Sequence, residues 1–141
     1  MPIGVSFGKG GGIYMKNKVY MENVSVINNT VTYGEGGGIL WQPNGADTLS
    51  NVYISGNSSN GAGGGIRTYS TENSTITNVQ LISNSSRMGG GMYLTGIYKV
   101  SKMLIYNNNA VVAGGGAYIY NGAPSIDSTI VVNNSSNNYG G

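Results

Sequence analysis

Gly36-Gly37-Gly38-Ile39-Leu40-Trp41 is one copy of a stretch that recurs along the whole chain. Three glycines followed by an apolar residue also stand at Gly10-Gly11-Gly12-Ile13, Gly63-Gly64-Gly65-Ile66, Gly89-Gly90-Gly91-Met92 and Gly114-Gly115-Gly116-Ala117, and a further copy begins at Gly140-Gly141. Successive copies start 26, 27, 26, 25 and 26 residues apart. A fixed period of this length marks a stacked-repeat architecture, in which each unit buries its apolar face only against its neighbours.

Aligning the glycines aligns a second motif. Asn23-Val24-Ser25-Val26-Ile27-Asn28-Asn29 is followed by copies at 51–57, 78–84, 102–108 and 128–134. Val24, Val52, Val79, Met103 and Thr129 form one column, and Val26, Ile54, Leu81, Ile105 and Val131 form another two residues on. Residues two apart share a face of a strand, so the alternation predicts short β-strands with an apolar inner side. Each repeat holds three such pieces. The first follows the glycines, as in Ile13-Tyr14-Met15. A weaker second lies near Val19-Tyr20-Met21, Thr48-Leu49, Thr75-Ile76, Lys99-Val100 and Ser125-Ile126, and the Asn-bounded strand is the third.

The expectation is an all-β, single-domain, right-handed parallel β-helix of about five rungs of roughly 26 residues, three strands to a rung. Residues 10–141 are the repeats, and residues 1–9, where Ile3, Val5 and Phe7 alternate, are a partial rung or cap. Asn29, Asn57, Asn84, Asn108 and Asn134 fall in register and are expected to stack as an amide ladder at a turn. Asn there also tolerates a left-handed backbone. The glycines suit the next corner, where the backbone bends and approaches the adjacent rung.

Composition removes several classes of function. The chain of 141 residues has no cysteine and no histidine, which excludes disulfides, thiolate or imidazole metal sites, and Ser-His-Asp or Cys-His centres. Charged residues are 9% with a net charge of +2, too little to argue for nucleic acid. Gly-rich loops here precede strands and not helices, so they are not phosphate cradles. No apolar run approaches the length of a membrane span, and no cofactor is expected.

The Gly-Gly-Gly-Ile and strand-Asn pattern resembles the right-handed parallel β-helix repeats of pectate-lyase-like proteins. It is similar to the Gly-Gly-[Ala/Gly]-Ile repeats of polymorphic outer-membrane-type surface proteins and autotransporter passenger regions. The resemblance runs from about Gly10 to Gly141. The phenylalanine that often accompanies the Asn in the polymorphic family is replaced by Val, Leu, Met or Ile, so the likeness is to the superfamily. It implies a secreted or cell-surface scaffold, often adhesive.

A polysaccharide lyase or hydrolase of that fold needs paired acids. The five here are Glu22, Glu35, Asp47, Glu72 and Asp127. Solvated turn charges are the expectation for all five, and Asp47 with Glu72, near adjacent loop tips, is the only pair to test as neighbours. No catalytic residue is assigned. A column of Tyr14, Leu40, Arg67, Tyr93 and Tyr118, with Tyr69 and Tyr120 two residues on, is expected to face solvent as a contact stripe for a glycan or protein, or as simple cross-strand packing. Trp41 falls on the inward phase. Among the Asn-x-Ser/Thr sequons, Asn73 at a loop tip is the best glycosylation candidate.

The expected function is a non-enzymatic, extracellular or cell-surface structural and adhesive solenoid, whose partner is the rest of a longer solenoid or a second copy stacked end to end. In the second case Met1-Pro2-Ile3 would follow Gly140-Gly141. The alternative is a carbohydrate-binding or lyase-like β-helix. A tail-spike fragment is a third possibility.

Overall fold

The computed structural model describes residues 8–141, and its strands pair in parallel throughout. Ile3, Val5 and Phe7, and the expected contact of Met1-Pro2-Ile3, lie outside the described residues. Gly8–Lys9 forms a short strand paired with Gly34–Glu35.

Three five-rung stacks build the solenoid. The strands after the glycines, Ile13–Lys16, Ile39–Gln42, Ile66–Thr68, Met92–Leu94 and Ala117–Ile119, form the first sheet. In the first three rungs the second and third expected strands are one long strand, Tyr20–Ile27, Thr48–Ser55 and Ser74–Ile82. In the last two rungs each is interrupted, giving Tyr98–Ser101 with Leu104–Tyr106, and Ser125–Asp127 with Ile130–Val132. All seven belong to one sheet. A left-handed residue sits at the junction in every rung, at Asn23, Asn51, Asn78, Lys102 and Ser128.

The third sheet lies between the ladder and the glycines, in segments the sequence presents as turns. It comprises Thr30–Val31, Ser58–Ser59, Ser85–Met88, Asn109–Ala113 and Ser135–Ser136. Its inward column holds Val31, Ser59, Ser86 and Ala110, and the two serines hide the alternation. Both are buried, and their hydroxyls donate to the carbonyls of Ala62 at 3.4 Å and Met88 at 2.8 Å. A buried hydroxyl with a partner avoids the desolvation cost that would otherwise exclude it.

The core is a stack of columns. Ile39, Ile66 and Met92 succeed one another in the first sheet, and Leu49, Ile76 and Val100 in the second, beside Val52-Val79-Met103 and Ile54-Leu81-Ile105. Trp41 is fully buried among them. Each such aliphatic side chain contributes about 1.5–3 kcal/mol by leaving water.

The glycine triplet has a separate reason at each position. Gly63 has φ +70°, the left-handed region that bends the chain into the first sheet. A Cβ on Gly64 would strike the carbonyls of Ser85 and Gly90, so the second glycine is set by close approach of the next rung. A Cβ on Gly65 would meet the Asn84 side-chain nitrogen at 3.1 Å. The third glycine and the ladder asparagine are therefore packed against each other, which couples the two motifs.

Candidate functional site

The ladder asparagines take up most of the polar groups that recur at one position. Asn57 donates from Nδ2 to Oδ1 of Asn84 at 3.0 Å, Asn84 to Asn108 at 3.0 Å and Asn108 to Asn134 at 3.0 Å. The same acceptor oxygens receive the backbone N–H of the preceding rung, at 3.0, 2.9 and 2.9 Å. Asn29 begins the series, donating to Asn57 from both its backbone and its amide. Asn57, Asn84 and Asn108 are buried, while Asn29 and Asn134 are half-buried at the ends. The ladder residues are not the left-handed ones. Positive φ falls one residue earlier, at Asn28, Gly56, Ser83, Asn107 and Asn133, because the turn bends before the amide points inward. A second, exposed ladder was not foreseen: Asn78 donates to Asn51 at 3.0 Å, and Asn51 to Asn23. Lys102 takes the next position in that column.

The outer face of the first sheet differs from expectation in its middle. Leu40, Arg67 and Tyr93 are buried there, at 2%, 5% and 7% exposure, and do not face solvent. Tyr69 and Tyr118 are half-buried, and only Tyr14 and Tyr120 are exposed. The cause is an aromatic cover over Arg67. Its guanidinium lies 3.7 Å from the Tyr69 ring centroid and 4.0 Å from that of Tyr93. Tyr93 continues the stack to Tyr118 at 4.9 Å and to Tyr120 at 6.4 Å.

Arg67 satisfies its charge by pairing Nε with Glu35 Oε2 at 3.3 Å, while Nη1 donates to the Thr68 carbonyl at 2.7 Å and the Thr95 hydroxyl at 2.9 Å. The Tyr69 hydroxyl donates to the same Glu35 oxygen. Burial raises the Tyr69 hydroxyl pKa, and its bond to Glu35 raises it further, against the opposing pull of Arg67. Burial also raises that of Tyr93.

Beside this cluster opens a cleft of about 500 Å³, lined by Tyr33, Glu35, Leu40, Gln42, Asn60 and Tyr69 among others. Both inward bonds of Glu35 use Oε2, so among the described residues Oε1 is left unengaged. Gln42 accepts the Tyr14 hydroxyl at 2.8 Å on its carbonyl oxygen, leaving its amide hydrogens as donors. Tyr33 is 64% exposed, an apolar face at the rim. The sequence signal for Glu35 was only its place one residue before a glycine corner; its partner Arg67 is 32 residues away.

The remaining acids do not assemble. Asp47, expected as a solvated turn charge, is instead buried, while Glu72 is exposed, so the two carboxyl groups occupy different environments. Their loops touch through the backbone, with Thr75 N–H donating to the Asp47 carbonyl at 2.8 Å. Glu22 and Asp127 are exposed at opposite ends of the rod. Among the described residues no group of three or more acidic side chains is placed to hold a metal ion, and no helix is long and apolar enough to cross a membrane. Asn73 is exposed. Inside, the Trp41 and Tyr98 rings lie 5.8 Å apart, and burial pushes the Tyr98 hydroxyl up to about 12.

No curated protein and no solved structure matches the chain significantly. A family model, described as the right-handed β-helix region, matches residues 5–136. With that match over nearly the whole chain, and with parallel strands stacked in register through five rungs, the protein belongs to the right-handed β-helix family.

Proposed function

We propose that the protein is a non-enzymatic, extracellular structural and adhesive β-solenoid. The observation that carries this reading is where the polar side chains go. The amides that repeat in every rung are consumed in the buried ladder, and among the described residues the one ion pair, Glu35-Arg67, engages Arg67 and the Oε2 of Glu35 internally. Paired carboxyls roughly 5–10 Å apart and open to a substrate are what glycoside hydrolysis asks for. Of Asp47 and Glu72, the pair nearest to that requirement in sequence, only Glu72 is open to solvent. An assay on pectin-like polymers with calcium tests the reading. Chain cleavage that disappears in Glu35→Gln or Asp47→Asn would overturn it.

A second reading, carbohydrate binding, is favoured by the cleft. An amphipathic sugar ring pairs apolar faces with hydroxyls. The cleft offers Tyr33 and Tyr69 as faces, Glu35 Oε1 as an acceptor and the Gln42 amide as a donor. A glycan array probed with the wild type and with Tyr33→Ala distinguishes the two. Binding lost in the variant supports carbohydrate recognition, and an inert array removes it.

A further inference from the structure

The corner between the first and second sheets is polar inside. Trp41 lies in the first-sheet strand of the second rung, and Thr68 pairs with it in the third. Across the corner Ser74 pairs with Tyr98, and Asp47 lies level with Ser74 because Thr48 pairs with Thr75. All five are buried, Asp47 at 4% exposure and the others at 1% or less. Trp41 and Tyr98 belong to rungs two steps apart, yet their rings lie 5.8 Å from each other. The two side chains therefore lean together across the small Thr68 and Ser74 of the third rung. Three polar atoms of this corner have no hydrogen-bond partner among the described residues: Trp41 Nε1, Asp47 Oδ2 and the Tyr98 hydroxyl. The neighbouring hydroxyls are engaged with backbone. Thr68 Oγ1 accepts the Thr95 N–H at 3.4 Å, Ser70 Oγ donates to the Glu72 carbonyl at 2.7 Å, and Ser74 Oγ donates to the Gly45 carbonyl at 3.1 Å. Burial raises the Tyr98 hydroxyl pKa, Thr68, Ser70 and Arg67 oppose the rise, and Asp47 adds to it, so the Asp47 carboxylate lies within electrostatic reach of that hydroxyl.

We propose that this corner holds one buried water molecule, which accepts from the Trp41 indole N–H, donates to Asp47 Oδ2 and bonds the Tyr98 hydroxyl. The balance of donors and acceptors selects water. An indole offers only a hydrogen, which a metal or ammonium cation cannot accept, and a carboxylate oxygen asks for a hydrogen, which a simple anion cannot give. Water does both, and about three hydrogen bonds is the usual complement of an interior water. Buried polar atoms without partners are destabilising and rare, and three of them at one corner are met by a single shared partner. The asparagine ladder fastens the corner between the second and third sheets. This water fastens the corner that the ladder does not reach, tying Trp41 of the first sheet to Asp47 in its own rung and to Tyr98 two rungs on.

The chain has one tryptophan, so its indole N–H gives a unique signal in isotope-labelled protein. Water-selective NMR should show a cross-peak from that proton to water, with opposite signs in NOE and ROE spectra. Opposite signs mark a held molecule, whereas exchange of the indole proton itself gives the same sign in both. Tyr98→Phe should keep the cross-peak, since Trp41 and Asp47 remain, and this separates a held water from relay through the Tyr98 hydroxyl. Asp47→Asn keeps an acceptor and should retain the cross-peak. Asp47→Leu removes the acceptor and should lose it. No cross-peak in the wild type, equal signs in the two spectra, loss in Tyr98→Phe or Asp47→Asn, or survival in Asp47→Leu would each overturn the proposal. If Asp47→Leu does not fold, the wild-type and Tyr98→Phe spectra decide it.

Discussion

Replacing Asn84 by alanine should be among the most damaging single changes to a polar residue, and the polarity of the ladder sets its size. The substitution removes three side-chain hydrogen bonds: Asn84 to Ile54 O at 3.0 Å, Asn84 to Asn108 at 3.0 Å, and Asn57 to Asn84 at 3.0 Å. It also strips the backbone N–H of Asn57, a fully buried residue, of its acceptor at 3.0 Å. A buried donor left unmade costs about 1–3 kcal/mol, and each lost bond about 1 kcal/mol. Loss of a partner for the Nδ2 of Asn57 is partly offset, because that nitrogen keeps the carbonyls of Val26 and Ser55. The total is about 3–5 kcal/mol, which lowers Tm by roughly 10–17 °C in a chain of this size. Asn29→Ala is the contrast. It deletes amide donors at a half-buried end and, among the described residues, orphans no backbone N–H, so it should cost about 1 kcal/mol. Asn84→Asp should cost at least as much as alanine, since an uncompensated carboxylate would face the Ile54 carbonyl and the Asn108 oxygen. Urea unfolding followed through the fluorescence of Trp41, the only tryptophan, measures all three. If Asn84→Ala and Asn29→Ala prove equally costly, the ladder is not a directed chain of buried bonds and the reasoning fails.

Gly65→Ala drives a Cβ to 3.1 Å from the Asn84 amide and into the Gly91 carbonyl, and should destabilise by about 3 kcal/mol in the same urea assay. Lys102→Asn should stabilise by about 0.5–1 kcal/mol, because position 102 has φ 52° and continues the exposed Asn23-Asn51-Asn78 column; an unchanged melting temperature would count against that ladder. Tyr98 links stability to high pH. Its folded pKa, about 12, lies above the ordinary value of 10, so the neutral form is favoured by folding. The associated stability is fully present below pH 10 and is lost as pH rises toward 12, by about 3 kcal/mol in all. Tyr98→Phe should flatten that part of the profile, measured as urea midpoints between pH 9 and 12.

The period of the glycines, the inward alternation of Val26, Ile54 and Leu81, and the registered asparagines were enough to derive a parallel solenoid from the sequence, because each is a backbone requirement that recurs with the rung. Gly63 must bend, Gly64 must clear a carbonyl, and Asn57 must bridge to Asn84, and each demand is met by residue type at a fixed offset. The tertiary structure alone decided the rest. Ser59 and Ser86 look like turn residues until their hydroxyls are seen bonded to Ala62 and Met88, which allows a third sheet whose inner face mixes serines with Val31 and Ala110. Arg67 looks like a solvent-facing cation until Tyr69, Tyr93 and Glu35 close over it. Tyr69 stands two residues on in the same rung, Tyr93 in the next rung and Glu35 at a corner 32 residues away, and a contact between side chains carries no period along the chain. Repetition writes the backbone into the sequence, whereas the cleft beside Glu35 depends on how unlike side chains meet once the rungs are stacked.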